Sequence, residues 1–146
     1  MDMKRLAIGT LVGAVTLHIV GYLMFDLATT DFYDANDAAA ANFGRDVNLQ
    51  WSIGLGNLAF AALLTLCIAN QASAATIAGG LVTGAVIGFL VWFGVDFTFY
   101  GYQNRWSLTL TIVDPLLAAV QFGIGGAVIA AVLARVPKGA EIQRAG

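Results

Sequence analysis

The chain is 146 residues long, 59% hydrophobic and 11% charged, with a mean hydropathy of +0.79 and a net charge of −2. A soluble domain carries about 25% charged residues, so these side chains cannot clothe a mainly aqueous surface. The seven Lys and Arg form no basic cluster of the kind that grips nucleic acid, and Cys67, the single cysteine, excludes an internal disulfide, a cysteine-based zinc site and a CxxCH haem attachment.

Met1 to Arg5 is a short basic start, and Leu6 to Phe25 is the first apolar run. A bilayer takes about 20 apolar residues as a helix, which this run meets. A signal peptide has a shorter core of about 7–15 residues with a small-residue cleavage site close behind. Here Asp26-Leu27-Ala28-Thr29-Thr30 follows, and Ala38 to Ala41 lies too far downstream, so the run reads as a retained helix. Asp26 to Gln50 is a long acidic loop in which Arg45 is the sole base. Within it Asp31 to Phe43 is expected to form a short surface helix, with Thr30 as N-cap and acids in the first turn. Phe32, Tyr33 and Phe43 would anchor it at headgroup level. Asp34-Ala35-Asn36 has the look of a calcium loop's opening, but Ala39 stands where glycine is needed and Arg45 where glutamate is, which excludes one.

Trp51 to Asn70 is the second span, Gln71 to Ala74 a tight connection, and Ala75 to Asp96 the third span. An aromatic turn from Phe97 to Ser107 leads into the fourth, Leu108 to Leu133, and a basic tail closes the chain. The expected architecture is all-α: a single integral membrane four-helix bundle over residues 1–146, with spans at about 6–25, 51–70, 75–96 and 108–133 and the acidic loop at 26–50. Lys4, Arg5, Arg135, Lys138 and Arg144 gather on one side, and Arg45 and Arg105 on the other. That bias puts both termini in the cytoplasm, and the loop and the aromatic turn outside it. In a bacterium the membrane is then the cytoplasmic (inner) one, and the outer side the periplasm.

Lipid supplies no hydrophobic drive between helices, so small residues must let backbones approach. Gly9 and Gly13 mark the first helix, and Gly80, Gly84 and Gly88 form a four-residue ladder on the third. Packing within one subunit is the expected use of these glycines; a homo-oligomer through the third helix is the other. A faint echo links Phe25-Asp26-Leu27 to Val95-Asp96-Phe97, each followed by Phe-Tyr, but the match is short and aromatic-rich.

Ionisable side chains inside hydrocarbon cost a few kcal/mol or more, so they mark functional sites by default. His18, Tyr22 and Asp26 fall at i, i+4 and i+8 on one helical face, His18 about 18 Å above Leu6. Asn57 lies two turns into the second span, Asp96 closes the third, and Asp114 is followed by Gln121 on the same face of the fourth. These seven are the candidate ligand-binding residues, able to line one outward cavity. Each has a structural counterpart: Asp26 and Asp96 as wet helix-end carboxylates, His18 bonded to Tyr22, and Asp114 as the N-cap of a helix starting at Pro115. Trp51, Trp92 and Trp106 read as interface anchors.

Phe25-Asp26-Leu27 with Phe32-Tyr33, and Asp96-Phe97-Thr98 with Trp106 and Thr111-Ile112-Val113-Asp114, together resemble an uncharacterised family of small four-span bacterial membrane proteins. The resemblance spans most of the chain, implies the same architecture, and singles out Asp26, Asp96 and Asp114. Phe99 stands where that family has Asn, and Leu117-Ala118 where it has Trp-Gly. No reaction, cofactor or metal comes with it.

Three functions follow. The first is binding or transport of a proton, cation or small amphiphile through the outward cavity. The second is an accessory subunit of a larger membrane complex. The third is an enzyme on a lipid substrate, with Asp96 and Asp114 holding a divalent metal or acting as acid and base. The chain has no Gly-x-Ser-x-Gly, His-Glu-x-x-His or phosphate-cradling loop to support the last.

Overall fold

The computed structural model of the chain describes residues 2–37, 45 and 47–137. Phe43, the Ala38 to Ala41 run, Lys138 and Arg144, which entered the readings above, lie outside them. The described residues are helical with no β-strand. Helix α1 spans Met3–Gly21 and runs straight into a π-helical segment, Tyr22–Ala28. A short helix α2, Thr30–Asn36, follows. The remaining long helices are α3 (Gln50–Asn70), α4 (Ile77–Tyr102) and α5 (Leu108–Leu133), with a 3-10 turn at Ala72–Ala75 between α3 and α4. Four segments, Met3–Ala28, Gln50–Asn70, Ile77–Tyr102 and Leu108–Leu133, are long and apolar enough to cross a membrane. Backbone this apolar has no water to bond, so it must satisfy its polar groups internally.

Three helix starts are fixed by side-chain caps, each satisfying an orphan backbone N–H. Asp2 Oδ1 accepts from Lys4 N at 2.9 Å, Thr76 Oγ1 from Gly79 N at 3.0 Å, and Ser107 Oγ from Leu110 N at 3.1 Å. The Ser107 cap settles the start of the fourth span. Asp114 therefore lies about two turns inside α5 and is not its N-cap. Pro115 is accommodated within the helix, where its missing N–H leaves the Thr111 carbonyl without its usual donor.

Two further boundaries differ from the sequence expectation. Helix α4 does not stop at Asp96 but continues to Tyr102, because Phe97-Thr98-Phe99-Tyr100 contains nothing that breaks a helix and Thr98 Oγ1 bonds back to Gly94 O at 2.6 Å. At the acidic loop, helical structure persists through Asp26 to Ala28 and resumes at Thr30, which is the first residue of α2 rather than its cap. The hydroxyl of Thr29, at the cap position, bonds back to Met24 O at 2.8 Å instead.

Arg5 ties the two ends of the chain together. Its Nη1 donates to Leu133 O at 2.8 Å and also to Val136 O, so the start of α1 and the end of α5 share one end of the bundle, the terminal end. The opposite end carries α2 and is called the capped end below. Helix α5 is central: it buries Leu110 and Ala118, and packs Phe122, Ile129, Ala130 and Leu133 in one cluster with Leu17 of α1 and Ala61, Leu64 and Ile68 of α3. Helix α4 buries a single stripe, Gly80, Gly84, Gly88 and Asp96. A Cβ at Gly84 would fall on the carbonyl oxygen of Phe122, and one at Gly80 on that of Gly126, so the two backbones touch. The ladder thus faces α5, and a second copy of the chain would have to use another surface. Gly9 and Gly13 serve α1 likewise: a Cβ at Gly9 would lie 2.9 Å from Thr65 Oγ1, and one at Gly13 would lie 3.0 Å from Ala61 Cβ.

Candidate functional site

At the capped end the helices part around a cavity of about 310 Å³. Six of the seven candidate residues line it: His18, Tyr22, Asp26, Asn57, Asp114 and Gln121. Phe25, Phe60, Trp92, Trp106 and Phe122 supply aromatic walls. No Lys or Arg is among the described residues of the lining. Tyr22 and Asp26 are exposed and stand at the mouth, whereas Gln121 is buried at the inner side.

The first helix reaches this cavity through its π-helical segment. Wider i→i+5 turns re-aim side chains locally and recur at functional sites. Here the widened turn carries Tyr22, Phe25 and Asp26, all lining residues. Asp26 Oδ1 accepts a bond from Asn48 Nδ2 at 3.3 Å. The echo between the Asp26 and Asp96 stretches has no local counterpart, since one is π-helical and exposed and the other α-helical and buried.

His18 does not bond Tyr22. Its Nδ1 instead pairs with the Asn57 side-chain amide, 3.2 Å from Nδ2, which joins α1 to α3 across the cavity wall. Gln121 Nε2 donates to Leu17 O at 2.8 Å, bridging α5 to α1 through a buried bond. That amide occupies the space beside Gly21, where a Cβ would lie 2.5 Å from it.

Asp114 is half-buried and accepts a hydrogen bond from the Tyr33 hydroxyl of α2. Burial pushes the Tyr33 phenol above its ordinary range, and the neighbouring Asp114 and Asp96 carboxyls push it further the same way. It therefore stays a donor. Asp96 stands apart from the cavity lining: it is fully buried on α4, directly beside Asp114. Neither of its carboxyl oxygens has a hydrogen-bond partner among the described residues. A buried carboxyl group without a donor is costly, and a native fold retains one only for a reason.

Helix α2 closes the capped end by docking on the α4–α5 connection. Ser107 N donates to Asn36 O at 3.1 Å, and Ser107 Oγ bonds Asn36 Oδ1 at 2.9 Å. Arg105 grips Asp37 through Nε at 3.0 Å and Nη2 at 2.8 Å, the forked geometry of a strong ion pair. Trp106, bridged at the backbone to Asp37, stacks edge-on against Phe99 at 6.1 Å.

Several of these roles escaped the sequence reading. Tyr33 turns its hydroxyl inward to Asp114. Trp92 and Trp106 line the cavity, whereas Trp51 is exposed. The available signal was charge: one Arg in the short α4–α5 turn stood against a loop rich in Asp, which makes a cross-loop pair the expected use of Arg105. Among the described residues no group of three or more His, Cys, Asp or Glu side chains has metal-binding proximity. Comparison with family models, curated proteins and solved structures returns no match.

Proposed function

We propose that this is a multi-pass protein of the bacterial cytoplasmic membrane, with both termini in the cytoplasm, that binds or transports a small amphiphilic cation through its outward-facing cavity. The resemblance to the small four-span family belongs to the same proposal. The observation that carries it is the lining: Asp26 and Asp114 with five aromatic rings beside Tyr22, and no Lys or Arg among its described residues. Such a wall is attractive to a positive charge through both carboxylate and ring face, and aromatic cages are a recurrent means of holding quaternary ammonium groups. The volume, about 310 Å³, falls at the small end of ligand pockets, which run from about 300 Å³ upward. Four helices make a thin pathway for one subunit, so transport implies a homo-oligomer or a larger complex.

The test is calorimetric titration of the full chain in lipid nanodiscs with benzyltrimethylammonium and with its uncharged isostere, neopentylbenzene. The cation binds in preference to the isostere, and Asp114→Asn weakens its binding about tenfold, the loss of about 1.4 kcal/mol of carboxylate–cation attraction. Equal binding of the two probes, unchanged by Asp114→Asn and Asp26→Asn, overturns the reading.

A further inference from the structure

The cavity accounts for Asp114 but not for Asp96, which is fully buried, stands outside the cavity lining and has two oxygens without a donor among the described residues. The titratable groups that act on it are the Asp114 carboxyl on α5 and, more weakly, the Tyr33 hydroxyl on α2. Nothing basic approaches along the packed helices: Asp96 is the sole charged residue of α4, Asp114 the sole one of α5, and α3 has none. The only other titratable group of α3 is Cys67, toward the far end of that helix, and on α4 Tyr100 and Tyr102 are exposed. From α1 and its π-helical extension, His18, Tyr22 and Asp26 face the cavity that Asp114 lines, while Lys4 and Arg5 lie at the terminal end. Arg105, the nearest arginine along the chain, is engaged by Asp37.

Two adjacent carboxylates in such surroundings repel, and each needs a donor. Tyr33 satisfies one oxygen of Asp114. The remaining arrangement closes if one carboxyl group keeps its proton and gives the hydrogen bond to the other, as paired acids in catalytic dyads do.

We propose that Asp96 and Asp114 hold one exchangeable proton between them, carried by Asp96 and donated to Asp114, and that a cation entering the cavity against Asp114 displaces it. The Asp114 carboxylate then accepts two O–H bonds, from Tyr33 and from Asp96. On exchange the Asp96 O–H bond breaks and the proton leaves through the cavity mouth as the cation arrives, so the charge of the site is unchanged. The exchange half rests on the cation-binding reading of the cavity. The shared proton does not.

Infrared spectroscopy of the full chain in nanodiscs at neutral pH, without ligand, reads the C=O stretch of a protonated carboxyl group. The wild type shows that band, shifted in D₂O; Asp96→Asn abolishes it. Tyr33→Phe, which removes a donor from Asp114, keeps the band but moves it, so the proposal stays testable should Asp96→Asn fail to fold. Absence of the band, or its persistence unchanged in Asp96→Asn, overturns the shared proton. Its disappearance when sodium chloride replaces potassium chloride overturns it in favour of a bound metal cation. In weak buffer, benzyltrimethylammonium releases about one proton per cation bound in the wild type and none in Asp96→Asn, which still binds it. Binding without release overturns the exchange. A normal band with no cation binding overturns the cavity reading alone and leaves the proton pair standing.

Discussion

One stripe of α4 behaves in two ways. At the terminal half, Gly80, Gly84 and Gly88 press its backbone against α5, where Gly126, Phe122 and Ala118 receive it. Toward the capped half the same stripe carries Trp92, at the cavity wall, and then Asp96, buried against Asp114. The first half gains its contact from the absence of side chains. The second holds the helices apart with an aromatic ring and leaves a space with aromatic walls and a few polar groups. The difference shows how one four-residue period, changed only in its side chains, builds both a locked interface and a cavity.

The largest test of that contrast is at Gly84. Replacing it with Val forces a branched side chain onto the Phe122 carbonyl and drives α4 from α5, at a cost of about 3 kcal/mol or more. Unfolding titration in mixed micelles reads the loss. An unchanged midpoint would mean that the two helices are not locked as described.

A smaller effect is expected at the capped half. Tyr33→Phe removes the hydroxyl that caps Asp114 and leaves a buried acceptor short of a donor, costing about 1–3 kcal/mol of α2 docking. Hydrogen exchange of the α2 amides would rise while the α4–α5 interface stays protected. This docking also depends on pH, and the sign is fixed by the phenol. Its pKa is raised in the folded state above the ordinary 10.0, so its contribution is full below pH 10 and is lost as pH rises beyond it, when the undocked phenol ionises. Tyr33→Phe removes that alkaline slope; a slope surviving the substitution would assign it to another group.

Arg105→Ala comes next. The Asp37–Arg105 pair is forked but partly exposed, so its loss weakens the cap by about 1 kcal/mol, and less in high salt. Limited proteolysis between α2 and α3 would report the opening. Gly94→Ala is the smallest and opposite in sign. A Cβ there meets nothing within 4 Å, and alanine favours the helix by up to about 1 kcal/mol, so the variant is as stable as the wild type or slightly more so. Serious destabilisation would show that this turn of α4 is packed against something.

Much of the architecture was legible because it rests on local rules. Runs of about twenty apolar residues must form helices that satisfy their own backbone, and Gly80, Gly84 and Gly88 fall on one face at any helical register. The i, i+4, i+8 spacing of His18, Tyr22 and Asp26 likewise points all three at one cavity, even though the helix there widens to π geometry. What periodicity could not reach were contacts between elements far apart in the chain. Tyr33 with Asp114, Arg105 with Asp37, and Asn57 with His18 depend on where α2 lies and how the helices rotate against one another. The burial of the Asp96 carboxyl group was also a tertiary matter. An aspartate near a span's end is wet or dry according to what packs over it, and here α5 and α2 both do.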